Sequence, residues 1–127
     1  MNKIILTIPF MSISVNWAFN WKVRRFKSDW YKDFENKMYK FFIEHWKTYE
    51  IIWNEWLTVK YTLYFPIYNK NWTKKIKDVA NYEKCLTDCL CKHIKWLEDH
   101  KIKYISLWKI DSIKQFIEID IQETERL

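Results

Sequence analysis

The chain of 127 residues contains no glycine, where about 7% would be usual. Walker A loops and dinucleotide-binding turns need backbone that meets phosphate without a Cβ in the way, so ATP- and NAD-type sites are excluded and no nucleotide cofactor is expected. Cysteine is scarce too. Cys85, Cys89 and Cys91 fall within seven residues, too crowded and of the wrong parity for a disulfide framework. That usage fits a reducing, cytoplasmic setting, the host cytoplasm if the protein is viral. Cys85, Cys89 and His93 follow the i, i+4, i+8 spacing open to a soft metal, but no fourth ligand is near, and buried apolar thiols are the better reading. Residues 4–21 lack charge, a length that flags a membrane span or signal peptide. Thr7, Ser12, Ser14, Asn16 and Asn20 break the run, Pro9 interrupts it, and no small-x-small cleavage site follows. The expectation is a protein with no membrane role.

What is present is apolar and aromatic. Hydrophobic residues make up 49%, charged residues 30% and aromatics 20%, far from the composition of a disordered chain. Residues 1–127 are expected to form one domain, long enough to bury roughly two thirds of the unfolded surface. The net charge is +6, from 22 cations against 16 acids. Its distribution carries more information. Residues 1–28 hold no acid and five cations, Lys3, Lys22, Arg24, Arg25 and Lys27. Residues 56–77 hold no acid and five more, Lys60, Lys70, Lys74, Lys75 and Lys77. An ordinary soluble surface mixes the signs, so two segregated basic segments favour a polyanion-binding face; two solvated basic loops are the alternative. Trp17, Phe19, Trp21, Phe26, Tyr68 and Trp72 interleave with these cations, as base-stacking or wedge residues do, although core positions suit them equally.

Periodicity supplies the elements. Ile4, Leu6 and Ile8 alternate in a strand over residues 3–8, ended by Pro9. A loop runs to Ser28, an N-cap candidate. The helix that follows extends to about Thr48, with Phe34, Met38, Phe41, Phe42 and His45 on one stripe, where His45 reads as a packing residue. Leu57, Val59, Tyr61, Leu63 and Phe65 alternate with polar neighbours in a half-buried strand closed by Pro66. A second helix starts at Asp78 and buries Val79, Tyr82, Leu86, Cys89, Leu90 and His93. Asp78, Asn81, Cys85, Asp88 and Lys92 form its polar face, with Lys84 at the margin. Strands near 102–109 and 115–121 turn at Asp111-Ser112, the second burying Ile117, Ile119 and Ile121. The order β-α-β-α-β-β implies an α/β (α+β) domain with two helices on a small mixed four-stranded sheet, leaving apolar surface for a subunit partner.

Asp78 is the first acid after 22 acid-free residues, where a basic loop gives way to a helix. A capping role is one reading. The other is a site for a hard cation such as Mg²⁺, which takes one or two carboxylates and bridges to phosphate oxygens. Asn81 lies one turn on, and Lys84 is suited to offset charge at a scissile phosphate. Asp88, about 15 Å up the helix from Asp78, is too far to share the ion. Glu98-Asp99 is the next acidic cluster. A helix ending near Lys92 climbs about 21 Å and seven extended residues return about 23 Å. Closure within one chain is therefore just attainable, and completion by a partner subunit is the alternative.

The run Asp78-x-x-Asn81-x-x-Lys84-x-x-x-Asp88-x-Leu90, followed by Glu98-Asp99-x-x-Ile102, resembles the core signature of the RusA family of Holliday-junction resolvases, small endonucleases common in phages and prophages. The Ile8-Pro9 strand end, the Ser14-Val15-Asn16 turn, the basic stretch to Ser28 and the C-terminal strand pair with Lys109 follow the same order. The resemblance covers most of the chain, with about 25 residues specific to it. It implies a homodimeric, Mg²⁺-dependent enzyme, with Mn²⁺ as a substitute, that nicks four-way DNA junctions symmetrically in recombination and repair. Asp78 and Asp99 would be metal-binding carboxylates and Lys84 the catalytic lysine, with Asn81, Arg24, Arg25, Lys27, Lys74, Lys75 and Lys77 on the DNA. The family's pattern is Asp-x-Asp-Asn, whereas this chain has Ala80 at the second Asp; Glu98, beside Asp99, is the candidate compensating metal ligand. Two alternatives stay open: a branched-DNA binder that Ala80 has deprived of cleavage, and a viral protein-interaction module.

Overall fold

Every second residue of Leu57–Phe65 is apolar, and a strand so patterned must lay that face on a core. In the computed structural model, which describes residues 2–12, 19–20, 26–27, 29–45, 53, 55–68, 80–94 and 97–124, it does so. The side chains at positions 19, 20, 26, 27, 80 and 81 fall outside that description. The elements are β1 (Lys3–Ile8), β2 (Phe19–Asn20), β3 (Phe26–Lys27), α1 (Asp29–Glu44), β4 (Leu57–Phe65), α2 (Ala80–His93), a 3₁₀ turn (Asp99–Lys101), β5 (Ile102–Asp111) and β6 (Phe116–Glu123). The main sheet runs β1-β6-β4-β5. β4 pairs parallel with β5 and antiparallel with β6, which pairs antiparallel with β1. The expected mixed α+β fold and its β-α-β-α-β-β order are borne out by this sheet and the two helices. The loop expected to run to Ser28 contains one further feature, the short antiparallel pair of β2 and β3.

Leu57, Val59, Tyr61, Leu63 and Phe65 are buried, as are Ile4, Leu6 and Ile8 of β1 and Ile117, Ile119 and Ile121 of β6. They share one core with Tyr31, Phe34, Met38 and Phe42 of α1 and Leu86 and Leu90 of α2. Each large apolar side chain taken out of water there is worth about 1.5–3 kcal/mol. The described part of α1 ends at Glu44, and residues 46–48 lie outside the described residues. His45 is exposed, stacked on Phe41 with ring centroids 4.6 Å apart and Nδ1 2.8 Å from the Phe41 carbonyl. It packs, as expected, but on the surface.

Helix α2 buries more than one stripe. Cys85 is fully buried, as the reading of the cysteines as apolar thiols expected and contrary to its place on the polar face of the helix. The reason is position: α2 touches the sheet through Thr87, whose Oγ1 is 2.7 Å from the Tyr61 hydroxyl, and touches α1 on another side, where Lys92 bridges to Glu35 at 3.3 Å. A helix contacted on two sides has a wider interior face than an amphipathic helix on one surface. All three cysteines are free. No helix among the described residues is long and apolar enough to cross a membrane. Tyr104, Trp108 and Ile110 on edge strand β5 are exposed.

Burial pushes the Cys85 and Cys91 thiols up to about 11 and Cys89 to about 12. At pH 8 a thiol near 11 is thiolate roughly a hundredfold less often than one near 9. Labelling of the native protein with a thiol-reactive disulfide at pH 8 should therefore lag the guanidinium-unfolded chain by about that factor.

His93, at the end of α2, stacks on Phe42 at 5.3 Å, and its Nε2 is buried without a hydrogen-bond partner. Burial, and then Lys92, lower its pKa from 6.5, with Glu35 opposing them. The unfolded chain therefore takes up the proton more readily. His93 contributes stability that is fully present above 6.5 and is lost as pH falls toward its folded pKa. His93→Phe keeps a ring in place and should flatten the fall in Tm between pH 7 and 5, read by circular dichroism.

Candidate active site

Helix α2 presents a stripe on which Ala80, Glu83, Thr87 and Cys91 fall within about 80°, with Lys84 about 20° beyond. The apolar and polar sides meet along this line. Thr87 and its partner Tyr61 are buried, Glu83 and Cys91 are half-buried, and Lys84 is exposed. Tyr61 stands on the inner face of β4, so its hydroxyl rises from the core to meet the helix. Glu83 accepts a hydrogen bond from Thr87. A carboxylate only accepts, so the Thr87 proton goes to Glu83 and the Tyr61 hydroxyl donates to Thr87 Oγ1. This chain ties a surface-edge carboxylate to the central strand. Burial raises the Tyr61 pKa, against the Thr87 hydrogen bond and with a smaller push from the charges of Glu83 and Asp99, so the phenol stays protonated.

After α2 the chain is held by buried Ile94 and Leu97. The backbone N–H of Leu97 donates to the Ile94 carbonyl at 3.2 Å. A 3₁₀ turn follows, closed by Lys101 N–H on the Glu98 carbonyl at 3.0 Å. Lys101 Nζ donates to the Trp53 carbonyl at 3.3 Å and Lys103 Nζ to the His100 carbonyl at 2.8 Å. These bonds orient the turn as it enters β5, and the turn packs against α2. Asp99 is exposed on it and lies close enough to Glu83 that the two charges oppose each other. The Glu83 pKa is raised first by burial and then by Asp99, against the Thr87 hydrogen bond and the Lys84 charge. The same proximity helps raise Cys91.

Of the residues expected at the site, Lys84, Glu98 and Asp99 are described. Lys84 and Asp99 flank Glu83. Glu98 is exposed, its Oε2 3.2 Å from His100 Nε2. Asp78 lies outside the described residues, as do Arg24, Arg25, Lys74, Lys75 and Lys77. Asn81 is placed in the first turn of α2 and Lys27 in β3 by backbone alone. Asp88 is exposed. Glu83, which the sequence reading did not single out, sits three residues after Ala80, hence on the same side of the helix, and is the acid of that helix's first turn.

Glu83 and Asp99 carry oxygen donors of the kind a hard cation takes, and neither forms an ion pair among the described residues. Among the described residues no group of three or more His, Cys, Asp or Glu side chains gathers as a metal site. That includes Cys85, Cys89 and His93.

A search of the curated proteins found no match to the chain. The family model for the endodeoxyribonuclease RusA matches residues 14–122, a span that takes in Lys22, Arg24, Arg25 and Lys27 of the first basic segment, all of the second, α2 and the turn that carries Asp99. The chain belongs to the RusA endodeoxyribonuclease family.

Proposed function

We propose that the protein is a divalent-cation-dependent, structure-selective endonuclease that acts as a homodimer on four-way DNA junctions and resolves them by paired nicks. The observation that carries this reading is the RusA family match over residues 14–122, and the packing of the turn that holds Asp99 against α2 supports it. The seven-residue span that makes closure just attainable is shaped by Ile94, Leu97 and the 3₁₀ turn.

Asp78 and Asp99 would hold Mg²⁺, or Mn²⁺ in its place, and Glu98 is the further ligand expected from the sequence. Such an ion, when bound, acidifies water and offsets phosphate charge. The chain's own residues do the rest. Lys84, exposed and next to the carboxylates, offers an ammonium to the negative charge that grows on the phosphoryl and leaving oxygens. Arg24, Arg25 and Lys27 in one segment, and Lys74, Lys75 and Lys77 in the other, grip phosphates of the arms and orient the duplexes without reading sequence. Asn81 contacts the strand nearest α2. The exposed Tyr104, Trp108 and Ile110 of β5 supply apolar surface for the second subunit, and a two-fold dimer meets the two equivalent strands of a junction. A second reading is favoured by Ala80: a branched-DNA binder without cleavage.

A synthetic four-way junction separates them. The endonuclease nicks it in Mg²⁺ and not in EDTA, whereas binding without nicks at every Mg²⁺ or Mn²⁺ concentration supports the second reading. Asp78→Asn should lower nicking at least about a hundredfold while junction affinity stays within about threefold, because the metal carboxylate and the DNA grip are separate groups. Unchanged nicking removes Asp78 from the site.

Replacing Arg24 and Arg25 together with Ala should weaken binding to all junction sequences alike. The slope of log affinity against log salt should become shallower by about one for each phosphate that the variant no longer neutralises. Gel-shift titrations over a salt series read both.

A further inference from the structure

A strand at the edge of a sheet leaves a row of backbone N–H and C=O groups unpaired, and folded proteins blunt such edges with short strands, prolines or bulges. The main sheet has two edges, β1 and β5. β1 follows that rule: it has six residues, three of them buried, and Pro9 ends it. β5 does not. It is the longest strand, ten residues with none buried and no proline, and its register shift lies at its very start. We propose that β5 pairs antiparallel with the β5 of a second copy of the chain, about a two-fold axis through Leu107 that sets Lys103 opposite the partner's Asp111. The proposal rests on the homodimer of the reading above and names its interface and register.

Three observations carry it. First, β5 is apolar on both sides. Its register with β4 places Ile105 and Leu107 on the side of buried Val59 and Tyr61, and Tyr104, Trp108 and Ile110 on the side of Thr58, Thr62 and Tyr64. Tyr104, Ile105, Trp108 and Ile110 are all exposed. An added strand satisfies the open backbone edge and covers both apolar rows at once. Second, the strand complements itself in charge. A two-fold axis normal to the sheet keeps like faces together, so residues that oppose each other differ by an even number. Two such registers pair nine of the ten residues. The one centred on Ser106 sets Lys103 against the partner's Lys109, twice by symmetry, and like charges directly opposite are destabilising. The one centred on Leu107 sets Lys103 against the partner's Asp111, again twice, and Tyr104 against the partner's Ile110, a favourable aromatic and β-branched pair. Third, both charged groups are exposed, held in place and able to bond further. Lys103 Nζ donates to the His100 carbonyl at 2.8 Å and lies 5.5 Å from the Trp56 ring centre. Asp111 Oδ1 accepts the Ile67 N–H at 2.9 Å. An ammonium has three donors and a carboxylate two oxygens, and neither group forms an ion pair among the described residues. Two four-stranded sheets thus join into one of eight. Because α1 and α2 share the core of one sheet face, the helices of both copies lie on the same side, and both copies' α2 meet one face of a junction.

The test uses the full chain, with its mass read by sedimentation equilibrium. Wild type should be a dimer. Lys103→Glu sets two like-charge pairs across the axis and should raise the dissociation constant at least about tenfold. Lys103→Glu combined with Asp111→Lys restores opposite charges and should recover most of the affinity, which a purely structural role for either residue would not do. Register is read by copper-phenanthroline oxidation of single cysteine variants. Leu107→Cys meets its own copy across the axis, whereas Ile105→Cys lies about 14 Å from its copy, so the first should form the disulfide-linked dimer at least about tenfold faster. The native thiols, two buried and one half-buried, make wild type the unlinked control. Equal rates for the two variants place the axis at Ser106 and overturn the inference. A dimer indifferent to Lys103→Glu and unlinked through Leu107→Cys also overturns it, and leaves the homodimer to another surface. A wild type that is monomeric at every concentration overturns the inference and the homodimer together, while its nicking of a junction still decides the endonuclease reading. If the dimer responds to both charge changes as stated and never nicks, the inference holds and the cleavage reading fails. Should Lys103→Glu not fold, judged by circular dichroism, the ratio of the two cysteine rates decides alone.

Discussion

Strand β4 is hydrogen-bonded on both edges, parallel to β5 and antiparallel to β6, and its pleat cannot shift by one residue without turning five buried side chains to solvent. Everything near the candidate site takes its position from that constraint. Tyr61 is the middle member of the buried row. Its hydroxyl reaches α2 at Thr87 Oγ1, 2.7 Å away. A hydroxyl so deep needs a partner, and Thr87 provides it. This sets the rotation of α2 about its own axis, and with it the direction in which Glu83 and Lys84 leave the helix.

The parallel pairing of β4 with β5 has a second consequence. Parallel neighbours need a crossover, and α2 is that crossover, so the residues that follow it must cross back to the start of β5. Asp99 lies in that return. Buried Ile94 and Leu97 hold the connection to the core, and the 3₁₀ turn holds its last step. An acid placed there is presented to the helix by the topology of the sheet.

Much of this was legible in the sequence. Period-two alternation located β1, β4 and β6 and named their buried residues, because one face of each meets the core. The Glu98-Asp99 doublet and Lys84 stood out as acid and base beside a cation-rich stretch. The expectation of buried thiols held for Cys85 and Cys89, while placing Cys85 on the polar face failed, since a helical wheel assumes one interior side, whereas α2 is contacted by both the sheet and α1. With two neighbours, the border between buried and exposed shifts around the helix. Glu83 then falls on that border, where a carboxylate is half-shielded and held. Glu98 and Asp99, adjacent in sequence and alike in chemistry, are both exposed, and Glu98 pairs with His100.

By itself the sequence determined the order of elements, the two basic segments, the lack of glycine-built nucleotide sites and the family signature, all of which depend on residue type and local spacing. Only the tertiary structure decided how the turn that carries Asp99 comes back against α2. That choice depends on the rotation of a helix about its axis and on the path of a return turn, and both are set by contacts between residues far apart in the chain, Tyr61 with Thr87 and the 3₁₀ turn with α2.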